Sequence, residues 1–210
     1  MKLIERPLYL RRLRNLMNTP DIKIITGIRR CGKSKLLAAF SDHIVKNDDT
    51  ANIIYIDLTK IKFEHLKEYH ELNDYIEERY REGVYNCLMI DEVQLCENFE
   101  LTINSLHSED KYDIYLTGSN AFLLSSDLAT LFTGRHMQIH IYPFSFSEYC
   151  SYFEVDNDYD GHLDRYIKLG GMSGSYSYKN DSDKEKYIRD VYDTILVRDL
   201  VEKYKLGSAM

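Results

Sequence analysis

The chain has 210 residues, 44% of them hydrophobic and 29% charged, with a net charge of −7, enough for one full α/β domain with a sizeable core. The acidic balance disfavours a generic nucleic-acid coat, and no apolar run approaches the roughly 18 residues that span a bilayer. Four scattered cysteines without C-x-x-C spacing argue against a zinc site or disulfide framework, and the opening MKLIERPLYLRRLRNL lacks the apolar core of a secretory signal; both give a cytoplasmic expectation.

The predicted elements alternate. Ile22 to Thr26 (IKIIT) is a β-rich run ending in Gly27, and Lys33 to Val45 carries apolar residues at helical spacing. Ile53 to Asp57 is a second buried strand, followed by a charged helix near Leu66 to Arg81. Cys87 to Ile90 is a third strand, running into Asp91 and Glu92, with a helix over Phe99 to Ser108. Ile114 to Thr117 is a fourth strand, with a helix near Phe122 to Phe132. Met137 to Ile141 is a fifth, stopped by Pro143. Helices are expected beyond it at Ser147 to Phe153, His162 to Leu169 and Lys184 to Tyr204. This alternation predicts an α/β fold with a largely parallel sheet covered on both faces. The expected division is a core over residues 1–143, a helical lid-like segment over 144–206, and at 207–210 (GSAM) a cloning scar.

Charge is unevenly placed. Residues 1–35 hold ten Lys/Arg against two acidic residues, a net +8, leaving −15 for the remainder. The basic part surrounds Gly27, Ile28, Arg29, Arg30, Cys31, Gly32, Lys33, Ser34 and Lys35, which fit the template G-x-x-x-x-G-K-[ST]. Strand, glycine-bearing loop and helix is the context that this phosphate-binding template requires. Successive backbone N–H groups form an anion nest, the helix N-terminus adds its dipole, and Arg29 to Cys31 can point their side chains away. Lys33 is placed to reach the β- and γ-phosphates of ATP, and the Ser34 hydroxyl to bind Mg²⁺.

Downstream, LMIDEVQ puts two adjacent carboxylates after an apolar strand. Asp91 is placed to hold Mg²⁺ through water, and Glu92 to orient and deprotonate an attacking water. The turn YLTGSN, at the carboxyl end of the fourth strand, brings Thr117, Ser119 and Asn120 toward the γ-phosphate. Ser119 or Asn120 is a candidate hydrogen-bond partner of the water or leaving phosphate. Arg135, in FTGRH, is a candidate to neutralise charge on the transferring phosphoryl group, in its own subunit or from a neighbour.

The ordered segments RPLYL…IKIITGIRRCGKSKLL, IYID, LMIDEVQ, IYLTGSNAFLLSSDLATLFTGRH, YPFSFSEY, LGGM and VYDTILVRDLVEKY resemble a family of prokaryotic AAA-type P-loop ATPases. The resemblance covers nearly the whole chain. It implies a three-layer αβα core with a five-stranded parallel sheet of order 5-1-4-3-2. It also implies nucleotide and Mg²⁺ binding by Gly27, Lys33 and Ser34, a Walker B pair at Asp91 and Glu92, a sensor turn at Ser119, and a functional role for Arg135. The RPxYL opening implies that Arg6 and Tyr9 lie near the adenine. In that family the core is usually followed by a further C-terminal domain, which this chain would lack. The family usually has proline after GGM, where this chain has Ser173.

Other patterns are set aside. Asp156, Asp158, Asp160, Gly161 and Asp164 imitate an EF-hand loop, but Ile167 occupies the position of the bidentate glutamate, so a polar turn is expected. No H-E-x-x-H occurs, and the tyrosines have no basic stripe through them that would suggest base stacking. The leading function is an ATPase coupling Mg-ATP turnover to a conformational change in a partner domain. The rivals are an ATP-bound switch or scaffold with little hydrolysis, possible DNA association included, and a small-molecule kinase. Absence of an N-K-x-D motif disfavours GTP. DNA or protein partners and an oligomer stay open, and no membrane is implied.

Overall fold

Short apolar strands joined through helices can pair in parallel only by crossovers, which place helices on the sheet faces. The computed structural model, which describes residues 5–118, 132 and 134–195, has this architecture. Strands β1 (Ile22–Thr26), β2 (Asn52–Asp57), β3 (Asn86–Asp91), β4 (Asp113–Thr117) and β5 (His136–His140) form one sheet. Its order is β2-β3-β4-β1-β5, with every neighbouring pair parallel. Read from the other edge this is the expected 5-1-4-3-2.

Alternation of side chains along each strand divides the interior into two cores. On one face Ile24, Ile56, Leu88, Ile90 and Leu116 pack beneath α3 (Tyr69–Glu77) and α4 (Phe99–Ser108), which contribute Leu72, Ile76 and Ile103. On the other, Ile25, Met89, Tyr115 and Ile139 meet Leu13 of α1 (Pro7–Asn15) and Leu37, Phe40 and Ile44 of α2 (Lys33–Asn47). Helices on both faces make the three-layer αβα fold.

Local chemistry moved several boundaries. The sequence pattern does not anticipate α1, yet Pro7 at its first position marks a helix start, since proline's missing N–H is no loss there. The long helix expected near Leu66 to Arg81 is two pieces. A 3-10 segment (Ile61–Lys67) gives way at Glu68, whose carboxylate accepts from the N–H groups of His70 and Glu71 and so caps α3. The helix expected near Phe122 to Phe132 falls on residues outside the described ones, apart from Phe132, which is buried in the first core.

After β5 come α5 (Phe146–Phe153), α6 (Tyr159–Leu169), a 3-10 segment (Ser173–Ser177) and α7 (Asp181–Thr194). Phe144, Tyr149 and Tyr176 bury a third, aromatic cluster among them. The EF-hand-like stretch is a capped turn: the Asp158 side chain accepts from Gly161 N–H at the start of α6.

Candidate nucleotide site

Parallel strands put their carboxyl ends on one side of the sheet, where ligands bind in open α/β folds. Thr26, Asp91 and Thr117 all end their strands there. The loop leaving β1 passes so close to its neighbours that Gly27 has no room for a side chain. A Cβ there would lie 2.4 Å from the Ile141 carbonyl oxygen and 2.7 Å from Cys31 Sγ, at a φ of +151°. Arg30 and Gly32 also have left-handed backbone, with φ of 64° and 105°. Gly32 caps α2 without any side-chain hydrogen bond to the first-turn amides. A turning glycine-bearing backbone ahead of an uncapped helix N-terminus is the geometry that receives anions.

Lys33 is buried, and its ammonium donates to the carbonyls of Gly27 at 3.0 Å and Ile28 at 3.2 Å. Ser34 and Lys35 are exposed on the first turn of α2. Cys31 is buried against Gly27, and burial pushes its thiol pKa up. Ile28 packs on the second core, and Arg29 is half-buried.

Asp91 is only 2% exposed. Burial raises its carboxyl pKa, hydrogen bonds from Ser34 and Thr117 pull it down, and the charges of Glu92 and Asp57 raise it again, leaving it above the ordinary carboxylate value. One hydroxyl bridges the two residues: Thr117 Oγ1 donates to Asp91 Oδ1 and accepts the Glu92 backbone N–H at 3.0 Å. Glu92 has left-handed backbone, φ 56°, and its Oε2 accepts from the Gln94 amide at 2.5 Å. The donor set suits Mg²⁺. A Ser34 hydroxyl in hydrogen-bond contact with a buried, charge-crowded Asp91 offers hard oxygen ligands beside an anion cradle.

These groups border a cavity of about 430 Å³. Gly32, Lys33, Ser34 and Glu92 line its polar side, and Leu36, Ala39 and Phe144 give it an apolar side. The segment after α6 closes it through Ser173, Gly174 and Tyr187. Arg30 lies on its rim, with the guanidinium 5.3 Å from the Tyr187 ring centroid and hydrogen-bonded to that side chain.

Arg6 also reaches the cavity, though its donors are already engaged. Nε and one terminal nitrogen donate to Glu148 at 2.7 and 3.0 Å, and the other two bonds go to the carbonyls of Cys31 and Tyr142. The guanidinium stacks on Tyr9, 4.4 Å from its centroid, and on Phe144. Tyr9 itself accepts from the Tyr142 N–H and does not line the cavity. Arg6 therefore ties the helix α1, the phosphate loop and α5 together.

Arg135 is not brought to this cavity. It is exposed just ahead of β5, its carbonyl accepts from Ile22 N–H, and the five residues of β1 separate it from Gly27. At about 3.3 Å per residue that places it at the opposite end of the sheet. Ser119 and Asn120 lie outside the described residues. Phe144, Ser173, Gly174 and Tyr187 are the site residues that sequence reasoning missed; the only local signal was the small-residue run GGMSGSY. Ser173 opens a 3-10 helix, a first position where proline is also compatible.

Residues 19–150, more than half of the chain, match a protein family described as an AAA domain. A Haemophilus influenzae protein is 33% identical over 208 residues, covering 96% of this chain and 51% of the relative. Protein MJ1544 of Methanocaldococcus jannaschii is 26% identical over 217 residues, covering 99% and 47%. The chain thus spans about half the length of these curated relatives. AMPPCP-bound DnaA from Aquifex aeolicus superposes with a TM-score of 0.53 at 18% identity, over 98% of this chain and 66% of that one. The Hsp104–ADP complex of S. cerevisiae gives 0.57 at 15% identity, over 73% and 24%. These likenesses concern the fold. No helix among the described residues is long and apolar enough to cross a membrane.

Proposed function

We propose, starting from a chain that belongs to the AAA-domain family, that this nucleotide-binding, ATPase-type core hydrolyses Mg-ATP and couples turnover to a partner domain. The observation that carries the proposal is the meeting of Lys33 and Ser34 with Glu92 around one cavity, with Ser34 bonded to Asp91 and the Thr117 hydroxyl linking Asp91 to the Glu92 backbone. A static anion site has no use for a second carboxylate beside the first. A hydrolase has one, because the attacking water must lose a proton.

The loop backbone and the α2 N-terminus would seat the phosphates, and the Lys33 ammonium would exchange the Gly27 and Ile28 carbonyls for phosphate oxygens. Ser34 and Asp91 would hold Mg²⁺, which supplies charge neutralisation on the phosphates. Glu92 would take the proton of a water attacking the terminal phosphorus as the bond to the β-phosphate oxygen breaks. Thr117 fixes the Glu92 backbone and keeps Asp91 accepting in one orientation. Ser119 and Asn120 are assigned to the water or the leaving phosphate. Arg135, by its distance along the sheet, is assigned to the site of a neighbouring copy, which makes assembly part of the proposal.

The partner domain is assigned to the half of the relatives' length beyond this chain. Equilibrium binding and turnover separate the roles: Lys33→Ala loses ATP binding, and Glu92→Gln binds ATP without hydrolysing it. A wild type that binds ATP but releases no phosphate, with or without duplex or single-stranded DNA, would instead be a nucleotide-held switch.

A further inference from the structure

The phosphate loop carries an arginine at a backbone position suited to glycine. Arg30 sits at φ +64°, where a side chain is strained and glycine is not. Strained backbone persists where the surroundings hold it in place, and it concentrates at functional sites. The group that meets its side chain comes from far along the chain. Tyr187 of α7 places its ring 5.3 Å from the Arg30 guanidinium, and both side chains border the cavity that contains Lys33 and Ser34.

Tyr187 is itself fixed by close approach. A Cβ on Gly174 would lie 2.1 Å from the Tyr187 hydroxyl, so the phenol rests on bare backbone of the 3-10 segment. Elsewhere α7 buries Lys184 and Val191, and exposed ion pairs link it to α6, Arg165–Asp181 at 2.9 Å and Lys168–Glu185 at 3.2 Å. Such pairs contribute little net stability in water. The contact between exposed Arg30 and half-buried Tyr187 at the cavity rim adds a direct tie between α7 and the loop.

We propose that Arg30 is a positioning residue for the nucleotide and Tyr187 its anchor, so that binding of a nucleoside triphosphate and docking of α7 stabilise each other. The guanidinium held by the ring adds a fixed positive charge beside the phosphate cradle. Because linkage is reciprocal, the ligand that gains from this charge must in turn favour the docked helix. The inference rests on the nucleotide reading of the site above.

The test is MgATP titration combined with amide hydrogen exchange of α7. In wild type, MgATP slows exchange over Asp181–Thr194. Tyr187→Leu raises the Kd for MgATP about tenfold and abolishes that slowing. Arg30→Gly raises the Kd similarly while the thermal midpoint holds or increases, because the left-handed strain is relieved. The double variant is no weaker than either single one, as expected for one contact removed twice. Wild-type affinity in both single variants, or fully additive losses, would overturn the inference. Lys33→Ala serves as the separate control: MgATP binding that survives that change would sink the nucleotide reading itself.

Discussion

The hydroxyl of Thr117 donates to the carboxylate of Asp91, and the same oxygen accepts the backbone N–H of the next residue, Glu92. One side chain at the end of β4 therefore orients the Asp91 carboxylate and fixes the backbone of Glu92, whose own carboxylate is held by the Gln94 amide. Thr117→Val keeps the shape but removes the donor and acceptor, leaving the part-buried Glu92 N–H without its partner. We expect about tenfold slower turnover, at a stability cost of about 1–2 kcal/mol, with nearly normal activity in Thr117→Ser. Steady-state kinetics beside thermal unfolding check this; full activity in Thr117→Val would remove the positioning role.

Arg6 and Glu148 join α1 to the capping box of α5, in which Glu148 also accepts from Ser145 N–H at 2.8 Å. Burial raises the Glu148 pKa, but the Arg6 hydrogen bonds and charge, with Ser145, outweigh it and hold it below the ordinary value. The folded state then binds fewer protons than the unfolded one between the unfolded pKa, about 4.3, and the lower folded pKa. This contribution is present above pH ~4.3 and is lost as pH falls through that window. Arg6→Ala should cost about 3 kcal/mol and weaken the acid dependence. Urea unfolding of both proteins between pH 3 and pH 7, scanned in steps of about one unit, measures both effects.

Lys23 occupies a fully buried position of β1, paired with Asp113 and donating to the Thr19 carbonyl at 2.6 Å. Asp113 also accepts from Asn18 N–H, Tyr85 and Tyr115. Removing one partner of such a pair strands a buried charge, so Lys23→Met should cost about 3–5 kcal/mol. Replacing both, as Lys23→Met with Asp113→Asn, should cost less than Lys23→Met alone. Chemical denaturation of wild type and the two variants decides it, and a double variant at least as destabilised as Lys23→Met would contradict the coupling.

The strands were legible because helices cover both faces of the sheet, so IKIIT, IIYID and CLMI read as apolar runs, the last of them running into Asp91 and Glu92. The loop after β1 was legible because its backbone demands glycine at Gly27 and Gly32, and the template adds lysine and serine at fixed spacing. Lys23 was hidden within such a run, since its partner lies on β4. Tyr187 and Gly174 were not legible because their roles exist only once α7 docks against the loop. Arg6 was placed near the base by resemblance alone; the structure finds its donors engaged by Glu148, Cys31 and Tyr142. Arg135 shows the converse limit, since a motif position carries no distance, and the strand register puts this one at the far end of the sheet.

The most direct test of the hydrolysis proposal is a single-turnover measurement of phosphate release from prebound MgATP, with wild type and Glu92→Gln at equal occupancy. We predict phosphate release by the wild type, and a rate at least about a hundredfold lower in Glu92→Gln with ATP still bound. Equal rates in the two proteins would contradict Glu92 as the base, and no release from either would contradict hydrolysis at this site.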